Sequence, residues 1–193
     1  MKIISQSEAL EKLKIGKPII FQTDTLPAIG CMPIYSEMIY KIKKRDKNKA
    51  LILMASQIQQ VLDFVDNHAR NDFQRVAERF WPGPLTVIIP IRKNKSLKFI
   101  SSQNTLGIRI PDSSTARSLI LETGPLATSS ANLSGLDTSF DAESVSNDLP
   151  EVDILGPIPW EECSGLGSTI ISWVKDGKWK LVREGQIPIS EII

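Results

Sequence analysis

Six basic residues fall within nine positions of one segment: Lys41, Lys43, Lys44, Arg45, Lys47 and Lys49. The whole chain of 193 residues carries a formal charge of only +1, so positive charge is gathered here rather than spread. A focused cluster raises the local concentration of anions, which points to phosphate, carboxylate or nucleic acid as the chemistry to expect. Arginine adds a planar fork for bidentate contacts, and lysine adds a mobile point charge. An isolated run of this kind reads as a solvated helix face; here the neighbouring segments argue otherwise.

Three further segments carry polar groups where a core would not ask for them. Thr23-Asp24-Thr25 follows directly on an apolar run ending at Phe21. The carboxyl end of a strand is where α/β sheets place ligands, although the same residues suit a capping turn equally well. Thr128-Ser129-Ser130-Ala131-Asn132-Leu133-Ser134-Gly135 offers small hydroxyls, an amide and a flexible backbone, groups that can meet phosphate oxygens. A plain polar turn explains it too. Arg109 lies inside the apolar run Leu106–Ile110, where an arginine is costly unless it is paired or faces a ligand. A salt bridge, with one of the acids after Leu136 as a partner, is one reading; a ligand carboxylate is the other. Trp81-Pro82-Gly83-Pro84 reads as a rigid break between helix and strand.

These residues need a framework, and the apolar periodicity supplies one. Ser5 and Glu8 have capping-box spacing, with Ala9, Leu10 and Leu13 on one face and Gly16 as the stop. Helical spacing recurs from Ser36 into the basic run, over 58–65, from Asn71 to Phe80, after Asp112 or Ser113, and over 141–149. Short apolar runs at 18–21, 51–55, 85–91, 107–110 and 125–128 read as buried strands. The runs 169–174 and 178–183 flank Asp176-Gly177, a strong hairpin signal. Alternating elements with a terminal hairpin predict an α/β domain on a mixed sheet, one domain over residues 1–193.

Composition narrows the function. With 41% hydrophobic and 23% charged residues, the chain has the profile of an ordinary globular domain. Its apolar runs are too short to span a bilayer, and the amino terminus lacks the pattern of a signal peptide, so the expectation is a cytoplasmic protein without a membrane partner. The single His68 argues against Ser-His-Asp or Cys-His catalysis and cannot complete a zinc site with Cys31 and Cys163. Both cysteines are expected to be buried, and His68 to lie on the surface. No G-x-x-x-x-G-K-[ST] loop is present.

Taken in order, the polar segments resemble the YrdC/TsaC family of threonylcarbamoyl-AMP synthases. Thr23-Asp24-Thr25 with Gly30-Cys31 resembles the family's T-[DE]-x…G motif, and Lys43-Lys44-Arg45 with Lys49 its K-x-R…K motif. Trp81–Thr86, Arg109-Ile110-Pro111, Ser130–Gly135, Ser168-Thr169 and Arg183-Glu184-Gly185 resemble the W-P-G-P-[LV]-T, R-[VI]-P, S-A-N-L-S-G, S-T and R-x-G stretches. Two departures stand out: Gln22 takes the place of a proline, and Pro27-Ala28 the place of an aromatic–glycine pair.

The resemblance implies a twisted mixed parallel/antiparallel sheet with flanking helices around a basic concave cleft, in the short single-domain form. It implies a nucleotidyltransferase that condenses L-threonine, bicarbonate and ATP to threonylcarbamoyl-AMP and pyrophosphate. Partner transferases then modify tRNA, with direct contact to tRNA or double-stranded RNA a further possibility, and Mg²⁺ is expected to arrive with the nucleotide. By position, Lys43 and Arg45 would be catalytic. ATP would meet Lys43, Arg45, Lys49, Ser130, Asn132 and Arg183. Threonine would meet Thr23, Thr25, Arg109, Thr128 and Ser168. The competing readings are an RNA-binding module that uses the basic cleft without catalysis and a divergent paralogue that binds a nucleotide or amino acid.

Overall fold

The structure is a computed structural model that describes residues 1–92, 97, 100 and 104–192. Among these residues ten strands form one sheet: β1 (Ile3–Ile4), β2 (Ile19–Phe21), β3 (Ala28–Cys31), β4 (Ile52–Met54), β5 (Leu85–Pro90), β6 (Thr105–Arg109), β7 (Leu126–Ser130), β8 (Asp153–Leu155), β9 (Thr169–Lys175) and β10 (Lys178–Arg183). Their spatial order is β1-β8-β2-β3-β7-β4-β6-β5-β9-β10. Pairing is parallel at β1/β8, β2/β8, β4/β6 and β5/β9, and antiparallel elsewhere. The mixed sheet is the predicted fold class.

Among the described residues six α-helices accompany it: α1 (Gln6–Lys14), α2 (Glu37–Lys43), α3 (Gln59–Leu62), α4 (Arg70–Phe80), α5 (Ser114–Thr123) and α6 (Ala142–Asp148). Local chemistry sets their starts. Ser5 accepts from the Glu8 amide while Glu8 accepts from the Ser5 amide, closing the capping box of α1. Ser113 caps α5 through the Ala116 amide, and Asp141 caps α6 through the Ser144 amide at 2.8 Å.

Alternation along the strands divides the sheet into two faces. Leu53, Val87, Ile89, Leu106, Ile108 and Ala127 are almost wholly buried and join the helices' buried residues, among them Phe73, Ala77, Leu119 and Ile120, in one core. On the opposite face stand Ile52 and Met54, Thr86 and Ile88, Gly107 and Arg109, Thr128 and Ser130, which line a cavity. The sheet is therefore the floor of the site.

Several sequence expectations need adjusting. β1, β3 and β8 were not anticipated. The helix over 58–65 is a single turn, and Val65 instead bridges to Ile91. Cys31 is buried, but Cys163 is only half-buried, because it sits in an irregular stretch rather than on a strand. The partner of Arg109 is Asp24, not an acid beyond Leu136: the loop between β2 and β3 carries Asp24 to the end of β6, with no direct pairing of the two strands.

Candidate active site

Arg109 ends β6 with 4% of its surface exposed. Its Nε donates to Gly83 O at 3.2 Å, Nη1 to Thr25 Oγ1 at 2.7 Å and Nη2 to Asp24 Oδ1 at 2.6 Å. The Trp81–Pro84 segment supplies one of those acceptors because it is pinned at both sides. Trp81 Nε1 donates to Leu85 O at 2.7 Å, and the Gly83 amide donates to Ile110 O at 2.9 Å. Burial pulls the guanidinium's pKa down, and the Asp24 carboxylate opposes that. A guanidinium has five N–H donors; three are spent here, leaving one on each terminal nitrogen. Guanidinium N–H donors of this kind suit a carboxylate.

Arg109 lines a cavity of about 440 Å³, together with Thr25, Arg45, Thr128, Ser130, Ser168 and Arg183. Arg45 is held by its own loop: Nε donates to Lys49 O at 3.1 Å and Nη2 to Ala50 O at 2.9 Å. Arg183 reaches in from β10 and donates to Ser168 O at 2.7 Å. Two glycines make that approach possible. A Cβ on Gly167 would lie 2.8 Å from Arg183 Nη2, and one on Gly185 would lie 2.2 Å from Gly167 O. Three arginines and no acid are among the described residues of this lining, so the cavity is electropositive.

The remaining sequence candidates lie outside the cavity wall. Lys43 is 1% exposed. Its ammonium donates to Ser130 O, to Asn132 O at 2.5 Å and to Asn132 Oδ1 at 3.0 Å. These contacts place the ammonium against the polar loop after β7, next to Ser130 of the cavity lining. Asn132 is 6% exposed and works in the same place: its Oδ1 accepts from Ser130 Oγ at 2.6 Å, and its Nδ2 donates to Leu133 O and Leu136 O. Thr23 is buried in the turn that presents Thr25, where its Oγ1 donates to Leu26 O at 2.7 Å. Lys49 is exposed, and its carbonyl accepts from Tyr40 Oη and Arg45 Nε.

Thr86 was missed by sequence reasoning. It is buried on the cavity face of β5, with its Oγ1 2.8 Å from Ser168 Oγ. The signal was available, since it is the one hydroxyl in the apolar run 85–91. His68 is exposed and 2.8 Å from Asp66. Among the described residues no three His, Cys, Asp or Glu side chains group as metal ligands.

Comparison with known proteins places the chain in a family. A family model described as "Telomere recombination" (Sua5, YciO, YrdC) matches residues 11–185. A putative threonylcarbamoyl-AMP synthase of Methanocaldococcus jannaschii is 30% identical over 181 residues, covering 92% of this chain and 84% of the relative. The threonylcarbamoyl-AMP synthase of Bacillus subtilis is 33% identical over 195 residues, covering 98% and 55%. Sua5 of P. abyssi, solved in complex with L-threonine, has a TM-score of 0.87 at 25% identity and is matched over 100% of this chain and 60% of its own. The chain thus spans less than two thirds of that protein. YciO of E. coli shares the fold, with a TM-score of 0.81 at 24% identity and coverage of 100% and 98%. With the family model matched over most of its length, the chain belongs to the Sua5/YciO/YrdC family.

Proposed function

We infer that the chain is an L-threonylcarbamoyladenylate synthase, joining L-threonine, bicarbonate and ATP into threonylcarbamoyl-AMP and releasing pyrophosphate. The observation that carries this reading is Arg109. A buried arginine with two donors beyond its described bonds lines a cavity with two more arginines and no described acid. Such a cavity suits a carboxylate and a polyphosphate together. Relatives at 30% and 33% identity are named for this reaction, which favours catalysis over RNA binding alone.

In this reading Arg109 takes the threonine carboxylate, with the hydroxyls of Thr25, Thr128 and Ser168 around the amino acid. The threonine amine adds to bicarbonate with loss of water, giving a carbamate. A carbamate oxygen attacks the α-phosphorus, the bond to the β-phosphate oxygen breaks, and pyrophosphate leaves. Arg45 and Arg183 offset the negative charge that builds on the departing group, and Ser130 contacts the nucleotide from the loop that Lys43 and Asn132 hold. No histidine is needed, because nucleotidyl transfer depends on positioning and charge stabilisation. Magnesium enters only with the nucleotide, and no step is assigned to a protein-held metal. The product passes to the transferase proteins that modify tRNA. No described helix is long and apolar enough to cross a membrane.

Radiolabelled bicarbonate with ATP and L-threonine tests the assignment. Labelled threonylcarbamoyl-AMP and pyrophosphate should form only when all three are present. Pyrophosphate release that ignores threonine would refute it.

A further inference from the structure

We propose that Asp24 is a positioning residue that orients Arg109 for the substrate carboxylate from behind. The proposal rests on the threonine reading of this cavity and assigns a part to a residue outside it. Asp24 does not line the cavity that Arg109 lines; it faces a neighbouring one with Gln22, Thr23 and Asp112.

One oxygen makes both of its contacts. Asp24 Oδ1 accepts from Arg109 Nη2 at 2.6 Å and from the Asp112 amide at 3.1 Å. Asp112 lies three residues beyond Arg109 on the same segment, so the clamp is fastened to the backbone whose side chain it orients. The side chains of Arg109 and Asp24 are 5% and 14% exposed, so the pair is drawn out of water. Among the described residues Asp24 Oδ2 has no hydrogen-bond partner, and no donor other than Arg109 and Asp112 shares the carboxylate. Among the described ion pairs, this is the only one that involves an arginine of the cavity.

The turn is built to hold Asp24 still. The Thr25 amide donates to Thr23 Oγ1 at 3.2 Å, and Thr25 Oγ1 accepts from Arg109 Nη1 at 2.7 Å. With Gly83 O on Nε, the guanidinium has an acceptor on each of its three nitrogens, which fixes both its plane and its rotation. A flexible arginine would lose more freedom on meeting a carboxylate. The negative charge of Asp24 also opposes the incoming carboxylate. Its benefit is therefore orientation, and an uncharged oxygen in the same place should keep that benefit.

Calorimetric titration with L-threonine and, separately, with ATP tests this on wild type, Asp24→Ala and Asp24→Asn. Asp24→Ala should weaken threonine binding about tenfold, the scale of one lost charge-assisted contact, while ATP affinity stays within about twofold. Asp24→Asn keeps an acceptor oxygen and should restore threonine affinity to the wild-type value or better. Should Asp24→Ala not fold, Asp24→Glu, which moves the carboxylate by one methylene, should show the same threonine-selective loss. Unchanged threonine affinity in Asp24→Ala, equal losses for threonine and ATP, or an Asn variant as weak as the Ala variant would each overturn the proposal. A wild type that does not bind threonine would instead overturn the substrate reading on which it rests.

Discussion

Replacing Lys43 with methionine separates two roles for the basic motif. The ammonium is 1% exposed and has three oxygens around it, Ser130 O, Asn132 O and Asn132 Oδ1. Without it, Ser130 O keeps the Asn132 amide at 3.1 Å and Asn132 Oδ1 keeps Ser130 Oγ at 2.6 Å. Asn132 O loses the ammonium and gains nothing from methionine. Bonds to a charged donor contribute about 1.5–3 kcal/mol each. Relief from burying the charge returns several kcal/mol of that total, so the net loss is about 2–4 kcal/mol. For a chain of this size that lowers Tm by roughly 5–15 °C. Urea and thermal unfolding measure the stability, and initial rates against ATP measure the site. The KM for ATP should rise with the loss of stability, because the loop carrying Ser130 loosens. A Lys43→Met protein as stable as wild type would refute the structural role. Wild-type stability with activity abolished would put the ammonium on the substrate.

Three further outcomes follow from the same geometry. Burial, with the charge of Arg45 beside it, pushes Lys43 down to about 7 in the folded chain, while the unfolded chain keeps an ordinary lysine. Below pH 7 both states hold the proton and the cost of the buried charge is constant. Above it only the unfolded state does, so the stability of wild type relative to Lys43→Met should rise with pH, by up to about 1.4 kcal/mol per unit. Paired urea melts at neutral and mildly alkaline pH check this, and a flat or shrinking difference would show that the three oxygens keep the proton on. Arg45→Ala removes a half-buried cation of the cavity; it should lower kcat/KM at least about a hundredfold with Tm within a few degrees, as initial rates and a thermal melt will show. Gly185→Ala places a Cβ 2.2 Å from Gly167 O, which forces the backbone apart and moves Arg183. Activity should fall and unfolding should occur at lower urea, whereas wild-type behaviour in both would contradict the close approach.

Much of this architecture was legible because local rules and the fold agree. Ser5, Ser113 and Asp141 announce helix starts by their own side-chain bonds, and Asp176-Gly177 closes the hairpin it predicted. What escaped depends on partners far along the chain. β1 and β8 have two and three residues, too few for any period, and exist because they pair with each other and with β2. β3 follows Pro27 and contains Gly30, both poor strand signals, yet it is buried between β2 and β7. The Asp24–Arg109 pair joins residues 85 positions apart, a contact made by the loop between β2 and β3 that no local period announces. Lys43 is different. It stands four residues after Ile39, on the buried side of α2, so helical spacing already set it apart from Lys41, Lys44 and Lys47, which are exposed. The resemblance to the K-x-R…K motif assigns it to the phosphates, while the fold sets it against the loop after β7.

The most direct test of the account is a crystal structure with L-threonine and a non-hydrolysable ATP analogue. The threonine carboxylate should sit on the two free donors of Arg109, with the phosphates against Arg45 and Arg183 in the same 440 Å³ cavity. Threonine bound elsewhere, or a nucleotide outside that cavity, would contradict it.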